Sequence, residues 1–186
     1  DQPNTYFDAT GLNILEQRDY ANNSPTDIDI YTIKFDHERE LAGGTLGFGA
    51  KSSYVKTDNT FDFFDVINDS QILDLERSNQ FIYTENVNAA YVSYGKQMQA
   101  WGFQLGVRME NTNSEGDLIS AQQGDNDNVT RSYVDFCPSA GLTYTMNPKN
   151  MWRLNYSRRI DRPNYQDLNP FEFRLNELTY QKGNAF

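Results

Sequence analysis

Between Ala100 and Glu110 the chain alternates strictly. Trp101, Phe103, Leu105, Val107 and Met109 hold the odd positions, and Gly102, Gln104, Gly106, Arg108 and Glu110 the even ones. A period of two puts these sets on opposite faces of an extended strand, one apolar and one polar. A helix would scatter the same side chains around its axis. The pattern recurs where Val134, Phe136, Pro138, Ala140, Leu142, Tyr144 and Met146 alternate with Asp135, Cys137, Ser139, Gly141, Thr143 and Thr145. It recurs again where Trp152, Leu154 and Tyr156 alternate with Arg153, Asn155 and Ser157. Three less regular strands are predicted over residues 28–40, 45–57 and 81–94, the last aligning Phe81, Tyr83, Val87, Ala89 and Tyr91. Weaker candidates lie at 6–17 and 173–181. Pro138 has no N–H for a ladder and predicts a bulge or a local break in pairing.

The connections fall into two classes. Residues 41–44, 96–99 and 147–150 read as tight turns. Polar stretches from about 59 to 79, from about 111 to 131 and from about 161 onward read as long loops. Antiparallel neighbours place every second connection at the same end of the sheet, so turns gather at one end and loops at the other. The strands reach about a dozen residues, against a globular mean of roughly 5–6. A tilted strand needs about 9–11 to cross a hydrocarbon layer. The expected fold is all-β, an antiparallel meander of about 6–8 long strands forming part of a large transmembrane β-barrel, with turns on the periplasmic side and loops outside. Tyr91, Tyr94, Trp101, Tyr144 and Trp152 fall near the turns, and Tyr54 and Tyr83 toward the loops. These seven are expected in two belts where a barrel meets lipid headgroups.

A mean hydropathy of -0.75 excludes only helical spans. No run approaches the roughly 20 apolar residues such a helix needs, whereas a barrel strand shows lipid at every second position only. The net charge of -10 argues against nucleic acid, which demands a basic surface. The one cysteine, Cys137, can form no internal disulfide and reads as a packed thiol. His37 is the only histidine, so a triad or a His-based metal site has little to draw on. Asp125, Asn126, Asp127 and Asn128 lack EF-hand spacing and read as a solvated loop tip. Asp58, Asp62, Asp65, Asp69 and Asp74 make the first long stretch acidic, which reads as hydration before it reads as capture of a cation. No catalytic group, cofactor or metal is expected. Four arginines, Arg153, Arg158, Arg159 and Arg162, cluster near the end. Arg153 and Arg159, with Arg108 and Glu110, are the candidates for a polar lining that ligand or carboxylates would meet.

Several stretches together resemble a known family. They are Tyr83-Thr84-Glu85-Asn86-Val87-Asn88-Ala89-Ala90-Tyr91-Val92, the run from Trp101 to Thr112, and Phe136-Cys137-Pro138-Ser139. Asn155-Tyr156-Ser157-Arg158-Arg159-Ile160-Asp161-Arg162-Pro163 follows, then Leu168-Asn169-Pro170-Phe171 and Lys182-Gly183-Asn184. Over residues 80–184 their order resembles the C-terminal barrel region of TonB-dependent outer-membrane receptors, of the outer membrane protein beta-barrel type. The resemblance implies a barrel of about 22 strands, an N-terminal plug, energy from the TonB system, and import of a scarce ligand. It also implies contact with outer-membrane lipid. Residues 1–186 then read as one internal segment of such a barrel, without plug or barrel terminus. Two other readings stay open. One is a soluble all-β module binding carbohydrate through exposed Tyr and Trp. The other is a β-sandwich hydrolase, which would need carboxylates converging in a cleft.

Overall fold

In the computed structural model, which describes residues 2–122, 127–176 and 179–184, the alternating segments pair into one nine-stranded antiparallel sheet. Its strands are β1 (Gln2–Phe7), β2 (Ile14–Asn23), β3 (Thr26–Leu41), β4 (Gly44–Ile67), β5 (Ser70–Leu73), β6 (Asn79–Met98), β7 (Trp101–Ser120), β8 (Asn128–Asn147) and β9 (Asn150–Ser157). The order is β1-β2-β4-β6-β7-β8-β9, with β3 and β5 also pairing with β4. β2 and β3 share one side of β4. β3 runs along Gly44–Asn59 and β2 along Asp62–Val66. Pro25 lies between them and its carbonyl accepts the Thr60 N–H at 3.1 Å.

The tight turns sit where the sequence places them, as the two-residue links Ala42-Gly43, Gln99-Ala100 and Pro148-Lys149. Ala42 and Gly43 both adopt positive φ, 50° and 74°. That is the mirror-image turn whose twist suits a hairpin. The first two predicted long loops are mostly strand, and the third holds a helical turn before its hairpin. β4 continues through Ile67, turns on Asn68-Asp69 at φ 50° and 60°, and returns as β5. β7 continues to Ser120, and β8 starts at Asn128. In the β7–β8 extension polar residues hide this from a periodicity argument, because a strand wet on both faces has no apolar side. Cross-strand bonds hold it instead, such as Ser132 Oγ to Asn113 Oδ1 at 2.7 Å.

Three other expectations need correction. Residues 6–17 are not one strand but the β1–β2 hairpin. Its turn closes on Asp8, whose carboxylate accepts from the side chains of Thr10 and Asn13 and from the Leu12 N–H. The Thr10 and Asn13 bonds hold the Asp8 carboxyl well below the usual carboxylate range. The segment at 173–181 belongs to a separate hairpin of β10 (Glu172–Asn176) and β11 (Thr179–Lys182), and residues 177 and 178 lie outside the described residues. Pro138 causes no bulge: it stays opposite Val107, and the β8–β9 shift falls at Thr145/Asn147. The Pro138 carbonyl accepts from Arg158 N–H at 3.0 Å, so its ring nitrogen also points toward the end of β9 and costs β7 no donor.

Burial is inverted. Leu105, Val107 and Met109 are 55%, 42% and 42% exposed, while Glu110 and Thr112 on the opposite face are 8% and 1% exposed. The water-avoiding side chains lie outside and the polar ones inside.

One prediction concerns the first turn. Ala42→Asn restores the Asn-Gly pair that this turn favours. It should raise unfolding stability by about 0.4–1 kcal/mol, the usual size of a matched backbone substitution, read as a higher urea midpoint for the full-length protein in detergent.

Candidate functional site

Register assigns the faces, because directly opposed residues point the same way. On the exposed face, β7 shows Trp101, Phe103, Leu105, Val107 and Met109, then Asn111, Asn113 and Glu115. β8 shows Tyr144, Leu142, Ala140, Pro138, Phe136 and Val134, then Ser132 and Thr130. β6 shows Tyr94, Val92 and Ala90, then Asn88, Asn86 and Thr84. The apolar band thus ends within one residue pair on three neighbouring strands, after Ala90 and Met109 and after Val134 opposite Asn111. Its length on β7 matches the roughly 9–11 residues of a membrane-crossing strand.

The other face carries a charged network at its centre. Arg108 bonds Glu110 and stands 5.6 Å over the Tyr91 ring, its cross-strand neighbour. Glu110 lies opposite Asp135 on β8 and Ala89 on β6. Its second oxygen is held by Arg162, which also donates to Thr112 Oγ1 at 3.1 Å and lies 3.9 Å from Glu85 Oε1. Glu85 accepts from the Tyr83 hydroxyl at 3.0 Å. Burial alone would lower the Arg162 pKa, but its hydrogen bond to Glu110 raises it, so the guanidinium keeps its charge.

Arg162 arrives from outside the sheet. After β9, Arg158 binds Asp135 Oδ1 and the Phe136 carbonyl, each at 2.7 Å, and the chain turns back over the polar face. A single helical turn, α1 (Tyr165–Leu168), is capped by Asn164, whose Oδ1 accepts from the N–H groups of Gln166 and Asp167. Leu168 is buried and shares a small cleft with Phe81, Tyr83 and Gly116. Asn169 reaches Asn79 of β6 at 3.5 Å, and Phe173 meets Phe61 of β4 edge-on at 5.3 Å. The segment therefore crosses from β9 to β4. Gly183 closes it, donating its N–H to the Asn169 carbonyl at 2.9 Å. A Cβ on Gly183 would collide with that same carbonyl oxygen.

The sequence-predicted residues divide. Arg108 and Glu110 come together at the centre of the polar face. Arg153 is on that face too, exposed near the turn end beside Thr143. Arg159 does not share its strand, because β9 ends at Ser157 where the chain turns on Arg158. Tyr54, Tyr94, Trp101, Tyr144 and Trp152 point to the exposed face, with Trp101 and Tyr144 ring centroids 4.4 Å apart. Tyr83 and Tyr91 do not. They oppose Gly116 and Arg108, so both point to the polar face. Tyr91 covers Gly49, where a Cβ would fall 2.6 Å from its hydroxyl oxygen. Of the aspartates, Asp65 and Asp74 pair with Arg77, and Asp58 accepts from Gln80. Asp125 and Asn126 lie outside the described residues. Among the described residues no three His, Cys, Asp or Glu side chains converge on a metal-sized point. The sequence argument missed Glu85, Thr112 and the docking of Arg162. The Arg162-Pro163 pair was visible, but nothing local says that a loop arginine folds inward.

A long-stranded sheet with an apolar outer band, a charged inner face and chain folded across that face is a section of transmembrane barrel wall. The chain belongs to the outer membrane protein beta-barrel family, whose model matches residues 1–186. That places it in the bacterial outer membrane. No curated protein matches it. It is similar in fold to the crystal structure of the ferric citrate transporter FecA in the unliganded form, with a TM-score of 0.50 and 14% sequence identity. The match covers 71% of this chain and 21% of that one, so the matched part spans about a fifth of that transporter's length.

Two substitutions test the inner face. Glu110→Ala removes the shared acceptor of Arg108 and Arg162 and should cost about 1.5–3 kcal/mol, the size of charge-assisted hydrogen bonds. Gly183→Ala should cost about 1–3 kcal/mol through displacement of Asn169. Denaturant titration of the full-length protein in detergent reads both.

Proposed function

We propose that this chain is a wall segment of a TonB-dependent outer-membrane receptor that imports a scarce ligand. The inverted burial across β4, β6, β7 and β8 carries the reading: apolar side chains outward, a buried Glu110 and Thr112 inward. The fold likeness to a transporter supports it. On this reading the turns at Ala42-Gly43, Gln99-Ala100 and Pro148-Lys149 face the periplasm. Tyr94, Trp101, Tyr144 and Trp152 stand at the inner headgroup level, and Tyr54 at the outer one. Arg108, Glu110 and Arg153 line the lumen. The free edges of β3 and β9 require further strands, since unpaired backbone is not tolerated in lipid. The segment thus works only within its complete barrel, whose periplasmic part would engage the TonB system. A soluble carbohydrate module is disfavoured, because its exposed aromatics would form a patch, not the edge of an apolar band.

Two measurements test this. Leu105 lies at the centre of the band on β7, so Leu105→Arg should destabilise the full-length protein in lipid by about 2–4 kcal/mol. Gln104→Arg, one residue away on the polar face, should cost far less. Equal effects would contradict the assignment of faces. For the function, the full-length protein should need detergent, run differently on gels before and after heating, and bind an isolated TonB periplasmic domain. Monomeric behaviour in plain buffer would rule the reading out.

A further inference from the structure

We infer that residues 159–173 form a releasable strap across the lumenal wall, fixed by Arg158 at one end and by an aromatic cluster at the other, and latched between them by Arg162 on Glu110. This rests on the reading of the sheet as barrel wall and adds a moving part to it.

The two ends differ in chemistry. At the far end Phe171 is 2% exposed and packs edge-on against Phe173 at 5.0 Å, which in turn meets Phe61 of β4. Leu168 is buried at the cleft lined by Phe81 and Tyr83. The backbone there is closed by Gly183 N–H to the Asn169 carbonyl at 2.9 Å and Asn184 N–H to the Asp167 carbonyl at 2.8 Å. Apolar burial of this kind has no competitor in water or salt.

The near end is held by charge. Arg158 ties the start of the strap to Asp135 Oδ1 and the Phe136 carbonyl, each at 2.7 Å; beyond it residues 159–164 carry no regular structure, and Arg162 reaches the sheet through Glu110, Thr112, Glu85 and Tyr133. Three features make this contact exchangeable. Arg108 also bonds Glu110, so losing Arg162 does not leave a bare buried carboxylate. Glu85 keeps the Tyr83 hydroxyl. The buried Nε of Arg162 has no hydrogen-bond partner, so the latched state leaves one donor unmet. Released, Arg162 regains water. Removing a partner usually makes a buried pair costly to break, and here both acids retain one. The strap spans the four strand spacings from β9 to β4, roughly 19 Å at about 4.8 Å each. Releasing Arg162 therefore lets the strap bow off the wall between its two fixed ends and widens the lumen at that level.

Thiol labelling tests this in the full-length protein, folded in detergent with Cys137→Ser as background. Thr112→Cys reports on the latch and Asn79→Cys on the anchor; the native residues are 1% and 5% exposed. Both thiols should react slowly with a small maleimide. Adding Glu110→Gln leaves Arg162 in place but weakens its hold, and should speed labelling at 112 about tenfold or more, from a loss of about 1.5 kcal/mol, without changing 79. Phe171→Ala should expose 79. Continued protection at 112 in Glu110→Gln, or simultaneous exposure of 112 and 79, overturns the strap. If Glu110→Gln does not fold, Arg162→Lys, which keeps the charge but loses the fork, is scored by the same two criteria. A full-length protein without heat-modifiable gel mobility instead defeats the barrel reading itself. A heat-modifiable barrel with unchanged labelling defeats only the strap.

Discussion

Where a strand meets hydrocarbon, its backbone N–H and carbonyl groups have only the neighbouring strand to bond, and an unmet group costs several kcal/mol. The ladders joining β6, β7 and β8 satisfy that constraint without interruption. Every residue of β6 from Asn79 to Met98 has a partner on β7, and every residue of β7 from Trp101 to Asp117 has one on β8, with no register shift. Even Pro138 fits, because its missing donor faces the end of β9. A slip of one residue would turn Leu105 and Val107 inward and Arg108 and Glu110 into lipid. The ladder and the side-chain pattern therefore enforce each other.

The inner chemistry follows from that register. Fixing Arg108 beside Tyr91 and Glu110 beside Asp135 gathers unlike groups on one wall, where the returning segment completes them. Arg158 neutralises Asp135, and Arg162 shares Glu110 with Arg108. The wall is thus stabilised by chain that arrives from beyond β9. Where the strap meets the sheet, apolar packing gathers at Phe61, Phe81, Leu168, Phe171 and Phe173.

Much of this was legible in the sequence. Alternation at 101–109 and 134–146 specified strand type, face and band length, because the membrane imposes the same period that the strand does. The tight turns were legible from chemistry, with Gly43 and Pro148 at their centres. The strand extensions above the band were not, since residues such as Asn111, Asn113 and Ser132 are polar toward water on both sides and leave no periodic trace. The inward placement of Tyr83 and Tyr91 was misjudged by reading aromatic position along the strand without its register: five aligned residues share a face, but alignment alone does not say which one. Arg159 was overextended onto a strand that stops at Ser157. The strap was hidden because its partners, Glu85, Glu110 and Asn79, lie 50 to 90 residues away from it in the chain.

The central claim is that odd residues of β7 face lipid up to Met109 and water beyond it. Spin labels placed singly from 101 to 117, in the full-length protein reconstituted in lipid vesicles, test it most directly. Collision with dissolved oxygen should be high at 101, 103, 105, 107 and 109 and low between them. From 111 onward the odd positions should switch to collision with a water-soluble relaxant. Accessibility to that relaxant at 105 and 107, or an absence of two-residue periodicity below 110, would contradict the account.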